Sequence, residues 1–471
     1  MGKRKNELML LSVVFMFLVI FIHVAAECVD GYVTSSVQFA VICSLHRLAS
    51  FVVQGFIFLS GVKLFLGYRE DFSYGKFYLA RAKRVILPYL VCFALFYVYF
   101  IFTRAVDPSL GHFTSELITG GLVGHFYFVA IICQFYLLMP LWRLLYRRGS
   151  PIVWVVASFA IMILAKEYLP AAVRVIFRYE MKYNSRLFTY YLFYFVSGIF
   201  VGKYYEQVCG FVIKMKQWIY GISAFVGAVD CVFIYLIRRG IYYPRFAETW
   251  HVFYCVFAIL TVFAAALSAK VKGFTRSRFL GLIDSASYNV YLIHPLFIFV
   301  SDWVSGRLGI SSLTLRFVIK GLFTLVFAVG LCLVIEVIKG ASSVKAKKVI
   351  YYLSPFILIP ALFILLILID GLIPVPSFFG IIVYILFAVL SFLIGRRSPS
   401  KHKVDILIAA VSALAMFAFM FVINFLDAGE TYSRFDMRHA IGYATSASVL
   451  VEYGIMFISC VIGSILPFRK K

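Results

Sequence analysis

Apolar runs of about twenty residues, each long enough to cross a bilayer as a helix, alternate along this chain with short polar loops. Every second loop is basic. Eight clusters of Lys and Arg mark them: Lys3-Arg4-Lys5; Arg69 to Arg84; Arg143 with Arg147-Arg148; Lys203 with Lys214 and Lys216; Lys270 to Arg278; Lys339 to Lys348; Arg396-Arg397 with Lys401 and Lys403; and Arg469-Lys470-Lys471. Between successive clusters there is room for two crossings. With all eight on the cytoplasmic side, the pattern predicts about fourteen crossings and both termini inside. The expected spans are 8–26, 45–66, 85–104, 125–142, 151–169, 188–206, 217–237, 250–269, 283–300, 317–338, 349–369, 377–395, 404–426 and 445–467. All are read as helices, because lipid offers no partner to an open strand edge. The expected fold class is therefore all-α, a polytopic transmembrane bundle in a cell membrane.

Composition supports this reading. The chain is 63% hydrophobic and only 14% charged, against about 25% charged for an ordinary soluble domain. The formal net charge of +24 sits in the short loops, where topology and anionic lipid account for it. No compact basic domain is present to carry nucleic-acid binding. The nine cysteines are scattered singly without zinc or redox spacing, so neither a disulfide framework nor a metal site is expected. The segment Leu8 to Ala26 is long for a signal peptide, and Glu27 before Cys28 spoils a lipoprotein-type cleavage site, so a retained first helix is expected.

The basic stretch Lys339 to Lys348 divides the chain into a 1–340 region, which holds nearly every polar constellation, and a plainer 341–471 region of four further crossings. In the second region the Tyr432 to His439 loop is the polar surface. No internal repeat is visible, so an inverted-repeat transporter gains no support. Arg104 to Gly124 is an outer loop with room for a short interfacial helix. Leu169 to Leu187 mixes basic and aromatic residues, either a strip for a polyanionic or sugar substrate or a surface helix with snorkelling Arg. Ser197-Gly198 and Gly202 on the sixth crossing suit close helix packing.

Ionisable and polar groups at membrane depth are costly and mark candidate chemistry. His23 lies on the first helix, where an imidazole can exchange a proton near neutral pH or simply donate to a backbone carbonyl. The second helix carries His46-Arg47, Gln54 and Ser60-Gly61. The fourth carries His125, Tyr127 and Gln134, and the ninth Asp284, Ser285, Ser287, Tyr288, Asn289, Tyr291 and His294. Such residues on three helices point to a shared hydrated cavity. Arg81 and Arg84 stand three apart ahead of Pro88, where they either grip phosphate by bidentate hydrogen bonds or anchor the topology. His294 before Pro295 reads equally as site or scaffold, since proline frees a backbone carbonyl that a donor must satisfy.

The order of IHV (22–24), F-x-F-L-S-G (56–61), K-F-x-x-x-R-x-x-R-x-x-x-P-Y (76–89), H-F-Y-F-V with Q-F-Y-L-L-x-P (125–140) and S-Y-N-V-Y-L-I-H-P (287–295) closely resembles the acyltransferase family 3 membrane proteins. The resemblance covers about residues 1–340. It implies a ten-helix membrane enzyme that moves an acyl group, usually acetyl, from cytoplasmic acyl-CoA to a sugar or lipid-linked glycan outside. Carried over by motif, the first-helix histidine falls on His23 and the R-x-x-R pair on Arg81 and Arg84. The later motifs fall on Ser60-Gly61, His125 and the run Ser285 to His294. Glu7 matches an acidic residue near the start, but Ser12 occupies a position where the family usually has Arg.

On this resemblance the catalytic expectation is His23, as general base or transient acyl carrier. Tyr127, Ser287 and Tyr291 are candidate hydroxyl donors to the developing oxyanion, and His294 is a further site candidate. Arg81 and Arg84 would hold the donor, acyl-CoA (acetyl-CoA first), with Arg47, Ser60 and His125 on the substrate and no metal required. Expected partners are membrane lipids, the glycan acceptor and glycan-assembly proteins. The competing classes are a transporter or glycan exporter, for which Asp230 and Lys166-Glu167 would line a path, and an inactive scaffold of a glycan machine.

Overall fold

A computed structural model describes residues 5–340, except 103–104, 107–108, 179, 181–182 and 272–277, together with short helical stretches at 389–394, 408–414, 455 and 457–462. The expected crossings 349–369, 377–395, 404–426 and 445–467 lie outside the described residues apart from those stretches, as does the Tyr432 to His439 loop. The chain forms two compact units, residues 1–336 and 337–471. In the second, Ile394, Ile408, Ala409 and Cys460 form a small apolar cluster.

The first unit is built of helices. They are α1 (Asn6–Gly31), α2 (Val37–Ala49), α3 (Val52–Phe65), α4 (Tyr74–Arg81), α5 (Leu87–Phe102), α6 (Leu110–Thr119), α7 (Tyr127–Leu137) and α8 (Met139–Arg147). There follow α9 (Pro151–Phe177), α10 (Leu192–Lys203), α11 (Tyr205–Lys214), α12 (Lys216–Arg238), α13 (Ala247–Val271), α14 (Arg278–Arg307), α15 (Leu313–Thr324) and α16 (Gly330–Gly340). Among the described residues seven segments are long and apolar enough to span a membrane, or eight if the bent pair α7–α8 counts as one. The count of fourteen is therefore not reached within the described residues. The two other expected crossings of this unit fall on α10, with only 12 residues, and on α14, with 30.

Several apolar runs that read as continuous are broken, each for a local reason. Ser50 turns its hydroxyl onto the carbonyl of Arg47, 2.7 Å away, and this competition with the backbone separates α2 from α3. Pro88 cannot donate to Arg84, and the chain widens into a π turn over Ala82–Ile86 between α4 and α5, a usual answer to a lost rung. The carbonyl of Val85, within this turn, accepts the hydroxyl of Tyr288 at 2.9 Å. α7 and α8 meet at 57°, with Pro140 in the first turn of α8. Trp142 caps that bend by donating to the carbonyl of Phe135 at 2.7 Å. α9 runs on to Phe177 through Pro170, so the first half of the basic-aromatic strip belongs to a helix. The outer loop carries α6 as a short helix, closed by Gly120 at φ 65°.

α3 and α10 cross at backbone contact. A Cβ on Gly198 would fall onto the carbonyl of Phe58, and one on Gly202 would come 2.9 Å from the carbonyl of Val62. Small residues let two helices approach this closely where lipid gives no hydrophobic drive. Phe15, Phe58, Phe126, Phe135 and Phe195 fill the surrounding core.

Lys5, Lys203 and Lys270 stand at one end of the unit, around the start of α1. There Glu7, fully buried, accepts from Lys270 at 2.8 Å and Tyr205 at 2.9 Å, tying α1 to α13 and α11. Lys5 pairs with Glu206 at 2.6 Å, and that carboxylate raises its pKa above the ordinary lysine value.

Candidate active site

At this basic end a cavity of about 260 Å³ opens between α1, α3, α4, α7 and α14. Ser12, Ser60, Lys63, Arg81, Arg84, Tyr136, Ser287 and Tyr291 line it among apolar neighbours. Three cations face it, and no carboxylate does among the described residues. Arg81 stacks its guanidinium 5.2 Å from the ring centres of both Phe77 and Tyr136, and its Nε is buried without a partner. Arg84 is exposed. The π turn between them does not separate the pair, since both line the same cavity. A wider hollow of about 750 Å³ adjoins it, bounded by Lys5, Lys63, Lys203, Glu206 and Asp284.

Three histidines meet beyond the cavity. The ring centre of His23 on α1 lies 6.0 Å from that of His125 and 5.2 Å from that of His294, and His125 lies 5.1 Å from His294. His294 and His125 are fully buried or nearly so. Each spends one ring nitrogen on the backbone of α14: His294 Nδ1 on the carbonyl of Tyr291 at 2.8 Å, and His125 Nε2 on that of Leu292 at 3.1 Å. A carbonyl only accepts, so both contacts place the proton on the bonded nitrogen and leave a lone pair on the other. Those other nitrogens, His294 Nε2 and His125 Nδ1, are buried with no partner. A buried lone pair without a donor is costly, and here two of them stand beside the His23 ring.

Tyr291 joins the cluster to the cavity. Its ring lies 5.3 Å from that of His125 and its hydroxyl donates to the His125 carbonyl, while its other face lines the cavity. That donation commits its proton, so Tyr291 orients His125 in this arrangement. Ser287 and Ser60 line the cavity, with Ser287 donating to the carbonyl of Asp284 at 2.8 Å.

Two further expected site residues have protein partners of their own. Tyr127, the first residue of α7, hydrogen-bonds Tyr191. Arg47 forms a two-pronged pair with Asp230, at 2.8 and 3.1 Å, and His251 completes the carboxylate at 2.7 Å. Asp230 is fully buried, and this cluster ties α2 to α12 and α13. Gln134 likewise clamps the loop before α10, donating to Arg186 and accepting from Phe188.

Sequence reasoning passed over Lys63. It stands two residues after Gly61, and its ammonium reaches Ser12 at 2.6 Å and Asp284 at 3.2 Å. A cation thus stands at the level of Ser12 although α1 supplies none. A lysine inside an apolar run was the available signal. Also passed over is a four-member ion network at the other end of the bundle, where Glu27 and Asp302 share Arg316 and the buried Lys320. Glu27 lies one turn beyond His23, and Asp302 two turns beyond His294. Among the described residues no group of His, Cys, Asp or Glu has the arrangement of a metal site.

Comparison with known proteins agrees with these motifs. The acyltransferase-domain family matches residues 6–337. A putative membrane-bound acyltransferase of Bacillus subtilis is 24% identical over 263 residues, covering 55% of this chain and 70% of that protein. A probable poly-beta-1,6-N-acetyl-D-glucosamine export protein of Staphylococcus aureus is 24% identical over 270 residues, covering 54% of this chain and 70% of its own length. No solved structure matches. With the family's match spanning the helices that hold the cavity and the histidines, this chain belongs to the acyltransferase family 3 membrane proteins.

Proposed function

We propose that this chain transfers an acyl group, acetyl foremost, from cytoplasmic acyl-CoA to a hydroxyl of an extracytoplasmic or lipid-linked polysaccharide. The observation that carries the reading is the junction of two sites: a cavity faced by three cations and no carboxylate, and three histidines reached through Tyr291. Arg81 and Arg84 bind the donor phosphates, and the thioester arm extends along the cavity toward the rings. A neutral imidazole takes the proton of the acceptor hydroxyl, whose oxygen attacks the thioester carbonyl carbon. The C–S bond breaks, and the imidazolium returns its proton to the departing thiolate. His23 is the expected base, and the buried lone pairs of His125 and His294 extend the candidates to all three.

On this reading the basic end faces the cytoplasm of a plasma membrane, and the core comprises ten crossings of about fourteen, with both termini inside. Anionic lipid at the inner surface, the glycan acceptor and glycan-assembly proteins are the partners. The test is label transfer from acetyl-CoA by purified protein. Loss of transfer in His23→Ala, by roughly a hundredfold or more, supports the reading; undiminished transfer removes His23 from the mechanism.

A second reading, polysaccharide export without acyl chemistry, draws on the name of the Staphylococcus aureus relatives. Vesicles separate the two: consumption of thioester marks the enzyme, and glycan movement without it marks the exporter.

A further inference from the structure

Lys63 lines both the cavity holding Arg81 and Arg84 and the wider hollow beside it, so its ammonium stands on their partition. Its two protein contacts fall on opposite sides: Ser12 lines the smaller cavity and Asp284 the larger hollow. An ammonium has three donors, and only these two are committed among the described residues. The pair with Asp284 is not sealed. The Lys63 side chain is 42% exposed, against 13% for Arg47 in its locked pair with Asp230. A partly exposed single-contact pair is weak, whereas an ammonium bound to phosphate makes short charge-assisted hydrogen bonds. On exchange Asp284, whose side chain is 12% exposed, is left facing the wider hollow.

We propose that Lys63 is a donor-binding residue, the third cation of the cradle formed with Arg81 and Arg84, and that on donor binding its ammonium trades Asp284 for a phosphate oxygen. This rests on the acyl-CoA reading above and adds a residue and a competitor to it. Asp284 then opposes donor binding, which no merely structural partner would do.

The experiment measures affinity for CoA calorimetrically on the full chain in detergent, with thermal unfolding as a parallel readout. Lys63→Met is expected to weaken CoA binding about tenfold, Lys63→Arg to stay within about threefold of the parent, and Asp284→Asn to tighten binding. Unchanged affinity in Lys63→Met, or weakened or unchanged affinity in Asp284→Asn, overturns the proposal. Should Lys63→Met fail to fold, Asp284→Asn decides alone. A parent protein that binds no CoA overturns the donor reading itself and this proposal with it. A parent that binds CoA while Lys63→Met is indifferent overturns only the role of Lys63.

Discussion

His294 donates from Nδ1 to the carbonyl of Tyr291, 2.8 Å away, the acceptor that Pro295 releases because it has no N–H to give it. One side chain thereby repairs the helix and leaves Nε2 without a partner in a ring that lies beside His23. Site and scaffold are the same residue.

The two duties separate by substitution. His294→Asn keeps an amide donor for the carbonyl and loses the basic ring nitrogen. Its unfolding temperature should stay near the parent's while acyl transfer falls roughly a hundredfold or more. His294→Leu removes both and should also lose about 1–3 kcal/mol of stability. Equal transfer in His294→Asn and the parent would make the residue purely structural.

Arg81→Ala together with Arg84→Ala should weaken CoA binding by about a hundredfold, on the scale of two lost charge-assisted contacts, without lowering the unfolding temperature. Arg81 rests on two aromatic rings rather than on a carboxylate, so its removal strands no buried charge. Calorimetric titration with CoA checks this.

Arg47→Met should act in the opposite way. It leaves the fully buried Asp230 with His251 alone, a change that costs about 3–5 kcal/mol. Thermal unfolding should drop sharply, while CoA affinity of the folded fraction stays at the parent's value. A shifted KM for acceptor at unchanged stability would return Arg47 to the substrate site.

Gly198→Ala should destabilise the α3–α10 crossing, since the added methyl meets the Phe58 carbonyl and neither backbone can move aside easily. Overpacking of this kind costs about 1–3 kcal/mol. Gly210→Ala, where a Cβ meets nothing within 4 Å, is the control.

Hydropathy made the helices legible as far as residue 338, because membrane solvation is a one-dimensional constraint that each apolar run satisfies by itself. It did not reveal the breaks. The α2–α3 interruption depends on one hydroxyl of Ser50, and the π turn on where Pro88 falls relative to Arg84. The site was legible as polar residues on separate helices, and His23, His125 and His294 do converge. Which ring nitrogen carries the proton depended on which α14 carbonyls the rings meet, that of Tyr291 for His294 and that of Leu292 for His125. Arg47 and Tyr127 looked alike in kind to the true cluster members, but they bond to Asp230 and Tyr191. Lys63 went unnoticed because a lysine near a helix end ordinarily reads as an anchor.

The shortness of two elements changes the task the molecule faces. α10 has 12 residues and α7 has 11 before its bend, so each rises about 16–18 Å, against about 30 Å of hydrocarbon. On the proposed reading, the acyl group is handed over across a locally thinned barrier, and a flexible arm suffices to carry it from one aqueous side to a hydroxyl waiting at the other.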